Sequence, residues 1–147
     1  MNSDFLKLNK TIILSGILAI ILGNIAAYIF SDQQDYLLTT YTVIAEYIGF
    51  FGVIIPMFYW DNRHKYSLES GKKDKGRIKK DFIKLGSSLG ISEVFYLSSR
   101  WLSGFYLLQI GYDANTATII SEAIAFAIFI IAMNLGAKFT KLYKYQK

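Results

Sequence analysis

The stretch Thr42–Met57, TVIAEYIGFFGVIIPM, occurs again in the second half of the chain as Thr118–Met133, TIISEAIAFAIFIIAM. Eight of the sixteen aligned positions are identical, and each copy places one glutamate, Glu46 or Glu122, inside an otherwise apolar segment. A charged residue within a membrane span costs free energy, so it is a functional-site candidate by default. The repeat therefore predicts a duplicated pair of membrane helices, with the functional site where the two pairs meet.

The composition places the whole chain in the membrane class. Hydrophobic residues make up 53% of the 147 residues and are concentrated in blocks, and this length suits a single domain, 1–147. A helix needs about 20 apolar residues to cross the hydrocarbon core of a bilayer. Four segments meet that requirement, at about 11–30, 41–60, 82–102 and 117–136. The predicted fold is an all-α polytopic membrane protein with four transmembrane helices, arranged as two tandem helix pairs.

The distribution of basic residues predicts the orientation. Of the 16 Lys and Arg residues, all but Arg100 lie in or beside the N-terminal segment, the central loop 61–81 or the C-terminal tail. The two other connections carry no basic residue but contain Asp32, Asp35 and Asp113. Because basic loops stay on the cytoplasmic side during insertion, we expect both termini and the loop 61–81 to be cytoplasmic in the plasma membrane. The same reasoning accounts for the net charge of +5, so the expected partner is the lipid bilayer and no nucleic acid is expected.

Several kinds of chemistry are disfavoured by the residues present. The chain has no cysteine, which excludes disulfides, thiolate metal sites and a cysteine nucleophile, and its one histidine, His64, lies in the polar loop. The acidic residues of the spans have no histidine or cysteine near them in the sequence, so we predict no metal site. We also expect no cofactor and no catalytic constellation, and hence no enzyme activity.

Polar residues inside the spans are the candidate binding residues. Counted from the cytoplasmic ends at about 1.5 Å per residue, they all lie between the middle of the membrane and its outer face. Intramembrane charges usually face the bundle interior or an aqueous cavity and pair with one another, so we expect Arg100 to have an acidic partner. One arginine neutralises at most one glutamate, and the other acids must be protonated, hydrated or bound. A functional cavity and a structural clamp, with Arg100 reaching outward, both remain open. The candidates are Asn24, Glu46, Glu93, Arg100 and Glu122.

Two runs of sequence carry a resemblance to a known family. DFIKLGSSLGISEVFYL, followed later by ISEAIAFAIFIIAMNLGAKF, resembles the GtrA-like family of small four-helix membrane proteins over most of the chain. Phe82 and Gly86 match the aromatic–x–x–x–Gly element that opens a span in that family, and the stretch 58–63 with Tyr66 matches the element that ends one. The resemblance implies a non-enzymatic protein that helps to translocate or present polyprenyl-phosphate-linked sugars, together with a glycosyltransferase, for cell-surface polysaccharide synthesis.

Two other function classes fit the same residues. Small cation-coupled transporters also use four helices and a membrane glutamate. Accessory subunits of larger membrane complexes are small, helical and aromatic-rich, and aromatic residues make up 16% of this chain. Fold resemblance does not decide among these classes because function depends on the site.

The orientation gives the first testable prediction. Cysteines introduced at Asp35 and Asp113 should react with a membrane-impermeant thiol reagent in intact cells, whereas a cysteine at Lys75 should react only after the cells are lysed. The expectation follows from the one-sided distribution of basic residues. The absence of native cysteines leaves the unmodified chain as a clean background. If the cysteine introduced at Lys75 were labelled in intact cells and those at Asp35 and Asp113 were not, the predicted orientation would be reversed.

Overall fold

The computed structural model describes residues 3–142, and this part of the chain contains four α-helices and no β-strand. A short 3₁₀ turn, Arg63–Lys65, follows the second helix. The all-α prediction is therefore confirmed. The helices are α1 (Ser3–Ile29), α2 (Asp35–Asn62), α3 (Lys75–Gln109) and α4 (Ala114–Phe139).

The helices extend beyond the predicted spans, and the connection predicted for residues 61–81 is correspondingly shorter. Helix α3 begins at Lys75 because the Asp74 side chain accepts a hydrogen bond of 3.1 Å from the backbone N–H of Arg77, which caps the free end of the helix. The remaining link is folded rather than extended, with an isolated β-bridge between Ser67 and Lys73. An apolar run indicates where a helix could cross hydrocarbon, but capping determines where the helix begins.

The turn between α3 and α4 is built from two standard elements. Gly111, at φ 103°, ends α3, and the N–H groups of Gly111 and Tyr112 bond back to carbonyls of the last helical turn. Asp113 then caps α4 by accepting hydrogen bonds from the Thr116 hydroxyl at 2.6 Å and its backbone N–H at 3.0 Å. These bonds favour the ionised form and so lower the pKa of the Asp113 carboxyl. The tight turn places α3 and α4 side by side and antiparallel.

The four helices pack as two pairs. Helix α1 packs mainly against α2 and α3 mainly against α4, while contacts between α1 and α4 and between α2 and α3 join the pairs into a ring. Helices α2 and α4 also touch across the centre of this ring. The order follows the pairing that the duplicated sequence predicts, and it brings the two repeated segments face to face. The apolar core includes Ile12, Ile54, Leu85, Phe129 and Met133.

Three of the helices are long and apolar enough to cross a membrane: α1, α2 with its following turn, and α4. Helix α3 has 35 residues and is long enough to cross a membrane, but it is more polar than the other three helices. The predicted span 82–102 is therefore not among the helices that are apolar enough by composition. Its polar character comes partly from residues that face inward, because Ser88, Ser92 and Arg100 are buried. Its outward face is largely apolar, with Val94 66% and Phe95 56% exposed.

Helices α1 and α2 approach each other closely at Gly49. A Cβ atom at this position would lie 3.0 Å from the Leu18 carbonyl oxygen and 3.1 Å from the Ala19 Cα, both of which belong to the backbone of α1. Gly52, three residues later, faces open space, and a Cβ atom added there would meet nothing within 4 Å. Close contact at small residues is how helices associate where the surroundings are as apolar as leucine.

This difference predicts opposite effects for two matched substitutions. Gly49→Ala should destabilise the bundle by about 1–3 kcal/mol, since the added methyl group can be accommodated only by moving α1 away from α2. Gly52→Ala should be neutral, or stabilising by up to about 1 kcal/mol, because alanine has the higher helix propensity. Thermal unfolding of the two purified variants in detergent compares them directly. Equal stability of the variants would contradict the close α1–α2 contact.

Candidate functional site

Arg100 lies at the centre of the polar interior. Its side chain is 1% exposed and donates to Glu46 through both Nη2 (2.7 Å to Oε1) and Nε (2.9 Å to Oε2). A third hydrogen bond, 3.1 Å long, joins Nη2 to the Thr42 hydroxyl. Bidentate arginine–carboxylate pairs are strong and geometrically specific. The predicted acidic partner of Arg100 is confirmed as Glu46, and the interpretation in which Arg100 reaches outward is wrong.

Glu122 is the second carboxyl group at this centre. Its Oε2 atom lies 3.4 Å from Arg100 Nε and accepts a 2.7 Å hydrogen bond from the Tyr96 hydroxyl. The same hydroxyl lies 3.0 Å from Glu46 Oε2. A phenol carries a single hydrogen, so Tyr96 can donate to only one of these carboxyl groups at a time. The two glutamates of the repeat therefore converge on one arginine and one tyrosine.

Helical periodicity explains why both copies of the repeat contribute to the same centre. In each copy a threonine, a glutamate and a small residue occupy positions i, i+4 and i+7, which lie on one face of a helix. All six residues are buried: Thr42, Glu46 and Gly49 on α2, and Thr118, Glu122 and Ala125 on α4. The repeated segments thus present the same face to the interior from opposite sides of the ring.

Two glycines make the space that the ion pair occupies. A Cβ atom at Gly23 of α1 would lie 2.6 Å from Glu46 Oε1, and one at Gly104 of α3 would lie 2.5 Å from Arg100 Nη1. Neither distance is compatible with a side chain in the present arrangement. Because glycine has no side chain, Gly23 on α1 and Gly104 on α3 leave the space that the ion pair occupies.

A cavity adjoins the ion pair between α2, α3 and α4, and we call it the acidic cavity. The space open to the centre of a water molecule is about 10 Å³, which is enough for about one water. Within residues 3–142, two buried carboxylate oxygens have no hydrogen-bond donor: Glu93 Oε2 and Glu122 Oε1. Burying a polar atom without a partner costs free energy. The lining residues are Glu46, Tyr47, Phe50, Glu93, Tyr96, Glu122, Phe126 and Phe129.

The structure brings together four of the five predicted site residues and separates the fifth. Glu93 lines the acidic cavity beside Tyr47 and so joins Glu46, Arg100 and Glu122. Asn24 is engaged elsewhere. It accepts a 3.1 Å hydrogen bond from Asn115 and donates one of 2.9 Å to the Ile20 carbonyl. Its side chain therefore links α1 to the start of α4.

Three polar residues around the acidic cavity and the ion pair were not among the predicted candidates: Thr42, Tyr47 and Tyr96. Hydropathy does not single out threonine or tyrosine, because both are common in membrane helices. The spacing of two of these residues in the sequence, however, indicated that they belong to the site. Tyr96 precedes Arg100 by four residues and so shares its helix face, and Thr42 precedes Glu46 by the same interval.

The charges of the site are unequal. The site contains three carboxyl groups and one guanidinium, and the Glu46–Arg100 pair accounts for one of each. The carboxyl groups of Glu93 and Glu122 must be stabilised by protons, hydrogen-bond donors or a cation, since isolated buried charges are very costly. Among residues 3–142, no three acidic or histidine side chains are grouped so that they could hold a metal ion.

Comparisons with protein-family models, with curated proteins and with solved structures find no match to this chain. Any assignment of function consequently depends on the geometry of the site and on the resemblance described above.

The ion pair gives the third prediction. Arg100→Met should destabilise the protein by about 3–5 kcal/mol, because it leaves the Glu46 carboxylate buried without its partner. Combining Arg100→Met with Glu46→Gln should cost less than the sum of the two single changes, with a coupling of about 0.5–3 kcal/mol.

Unfolding of the four proteins in detergent measures this coupling. The matched control combines Arg100→Met with Glu69→Gln, because Glu69 is exposed in the connection between α2 and α3 and should show no coupling to Arg100. Additive effects for Arg100 and Glu46 would rule out the pairing.

Proposed function

We propose that the chain is an integral membrane protein in which all four helices span the plasma membrane, with both termini on the cytoplasmic side. The distribution of side chains supports this proposal. Large apolar residues cover the outside of all four helices, including Ile17, Ile48, Val94 and Ile131, whereas Arg100, Glu46 and Glu122 are buried in the interior beside the apolar core. A soluble monomer rarely exposes an apolar surface of this extent. Helix α3 shares the pattern, which is why we include it among the spans.

We further propose that the protein is non-enzymatic and helps to translocate or present polyprenyl-phosphate-linked sugars for cell-surface polysaccharide synthesis, as the GtrA-like resemblance implies. The acidic cavity is the observation that carries the proposal. Its walls combine aromatic faces with carboxylate oxygens that accept hydrogen bonds and have no donor among the described residues. Sugar hydroxyls are donors of the kind these oxygens require. A glycosyltransferase, or other membrane subunits, would act beside it.

The geometry of the site limits how a lipid-linked sugar could bind there. Arg100 is 1% exposed and donates from Nε and Nη2 to Glu46 and Thr42, so we do not assign the phosphate to it. The phosphate would instead remain at headgroup depth while a polar group of the sugar approaches the cavity. Because the cavity holds about one water, a whole sugar ring requires α2 and α4 to separate. These two helices share few direct contacts, so opening the site between them breaks little direct α2–α4 packing.

A cation-coupled transporter is the second candidate, and the excess of carboxyl groups favours it. Two carboxyl groups beyond the Glu46–Arg100 pair form a site that suits a proton or a cation better than an anion. In that mechanism, binding and release of the cation at Glu93 and Glu122 would drive the movement of a second solute.

One substitution separates these functions. Glu122→Gln should reduce the amount of surface glycan at unchanged protein level, because it alters the hydrogen-bonding capacity of the cavity while preserving its shape. Glu69→Gln is the control, since Glu69 is exposed and distant in sequence from the cavity residues. The measurements are surface glycan, proton-coupled uptake in vesicles, and the yield of any larger complex that co-purifies. Loss of uptake alone supports the transporter, a lower yield of complex alone supports an accessory subunit, and either result contradicts the sugar-handling proposal.

A further inference from the structure

The two unpartnered oxygens define a more specific ligand than the polar lining alone. Glu122 is 1% exposed, and its Oε1 atom has no donor within the described part of the chain. Glu93 Oε2 is likewise buried without a donor, although it comes from a different helix. Both residues line the same cavity, which is the size of about one water molecule. The missing partner is therefore small and must supply hydrogen-bond donors to carboxylates from two sides.

The remaining walls of the cavity indicate that this partner is a cation. Five aromatic side chains surround the carboxyl groups: Tyr47, Phe50, Tyr96, Phe126 and Phe129. Aromatic faces attract cations within about 6 Å of the ring centroid, and aromatic cages for ammonium groups use this attraction. With a neutral water in the cavity, both Glu93 and Glu122 would have to be protonated, whereas a cation neutralises one of them directly.

The number of oxygen ligands favours an ammonium group over a metal ion. Calcium takes six to eight oxygen ligands and magnesium requires near-ideal octahedral coordination. Only two carboxylate oxygens of the cavity lack a partner within residues 3–142, and no three acidic side chains of these residues are grouped closely enough for a metal. A protonated amine carries three or four N–H donors, which suits two carboxylate oxygens with an aromatic wall around the rest.

We infer that the acidic cavity binds one protonated amine nitrogen, with N–H groups donating to Glu122 Oε1 and Glu93 Oε2. The nitrogen neutralises one of the two carboxyl groups outside the Glu46–Arg100 pair, and the other carries a proton. Two sources supply this chemistry: a free small amine, or an amino group on the sugar of a lipid-linked cargo. The second source rests on the proposed function, and the binding site itself does not.

Binding of radiolabelled methylammonium to the purified protein in lipid nanodiscs tests the inference. We expect saturable binding of one molecule per chain, displaced by ammonium chloride but not by sodium or potassium chloride at equal ionic strength. Glu122→Gln should weaken binding by about tenfold or more, since it removes a charge contact of at least about 1.4 kcal/mol. Glu69→Gln, in the exposed connection, should leave binding unchanged.

The Glu93→Gln variant distinguishes loss of binding from misfolding. The hydrogen bonds of the Arg100–Glu46–Tyr96 network do not include Glu93, so this variant should keep the helix content and thermal stability of the parent while its affinity falls. No saturable binding by the folded parent protein would overturn the inference. Equal displacement by potassium and ammonium, or unchanged affinity in both glutamine variants, would overturn it as well.

A competition experiment distinguishes the two possible sources of the amine. Nanodiscs containing a polyprenyl-phosphate-linked amino sugar should displace methylammonium if the amine belongs to the cargo, whereas the same lipid with a neutral sugar should not. Displacement by free amines alone supports the amine site and assigns it to a free ligand. The assay requires no glycan synthesis, so failure of the glycan experiment with intact methylammonium binding would reject the proposed function and leave the amine site standing.

Discussion

The buried ion pair between Arg100 and Glu46 is the constraint on which the rest of the interior depends. Removing both charges from water costs several kcal/mol per ion, and the pair offsets this cost only if its geometry is good and its remaining donors are satisfied. The bidentate contact provides the geometry, and the hydrogen bond to Thr42 satisfies a further donor on Nη2. Gly23 and Gly104 provide the room. One ion pair thus restricts residues on three helices.

In the membrane environment that we propose, the pair would matter more than in a water-soluble bundle. Where the outside of a bundle is apolar, burial of further apolar surface provides little force to hold the helices together. Close contacts at small residues and interior polar contacts must supply the specificity instead. Gly49 allows a close backbone approach between α1 and α2, and the Arg100–Glu46 pair joins α3 to α2. Asn115 and Asn24 provide a comparable polar link between α4 and α1.

The duplication produces two equivalent glutamates with unequal partners. The offset that aligns Glu46 with Glu122 also aligns Asn24 with Arg100, so only the second copy supplies a guanidinium. Arg100 bonds to Glu46 of the first copy, whereas Asn24 bonds to Asn115 rather than to Glu122. Glu122 is left with one oxygen without a donor in the described chain. The departure from symmetry therefore creates the chemistry of the acidic cavity, because a symmetric pair of arginines would have neutralised both acids.

The sequence by itself determined the features that follow from composition and from the helical period. These are the helical class, the apolar blocks, the one-sided distribution of basic residues, the convergence of the repeated glutamates and the requirement of Arg100 for an acidic partner. Tertiary structure decided which acid that would be, why Asn24 lies apart, and that Tyr96 bridges the two carboxyl groups. It also decided the start of α3, which capping by Asp74 places ahead of the apolar run. The physical reason is that the helical period assigns residues to a face of their own helix. The rotation of each helix against its neighbours, and the direction of each long side chain, depend on packing across the whole bundle.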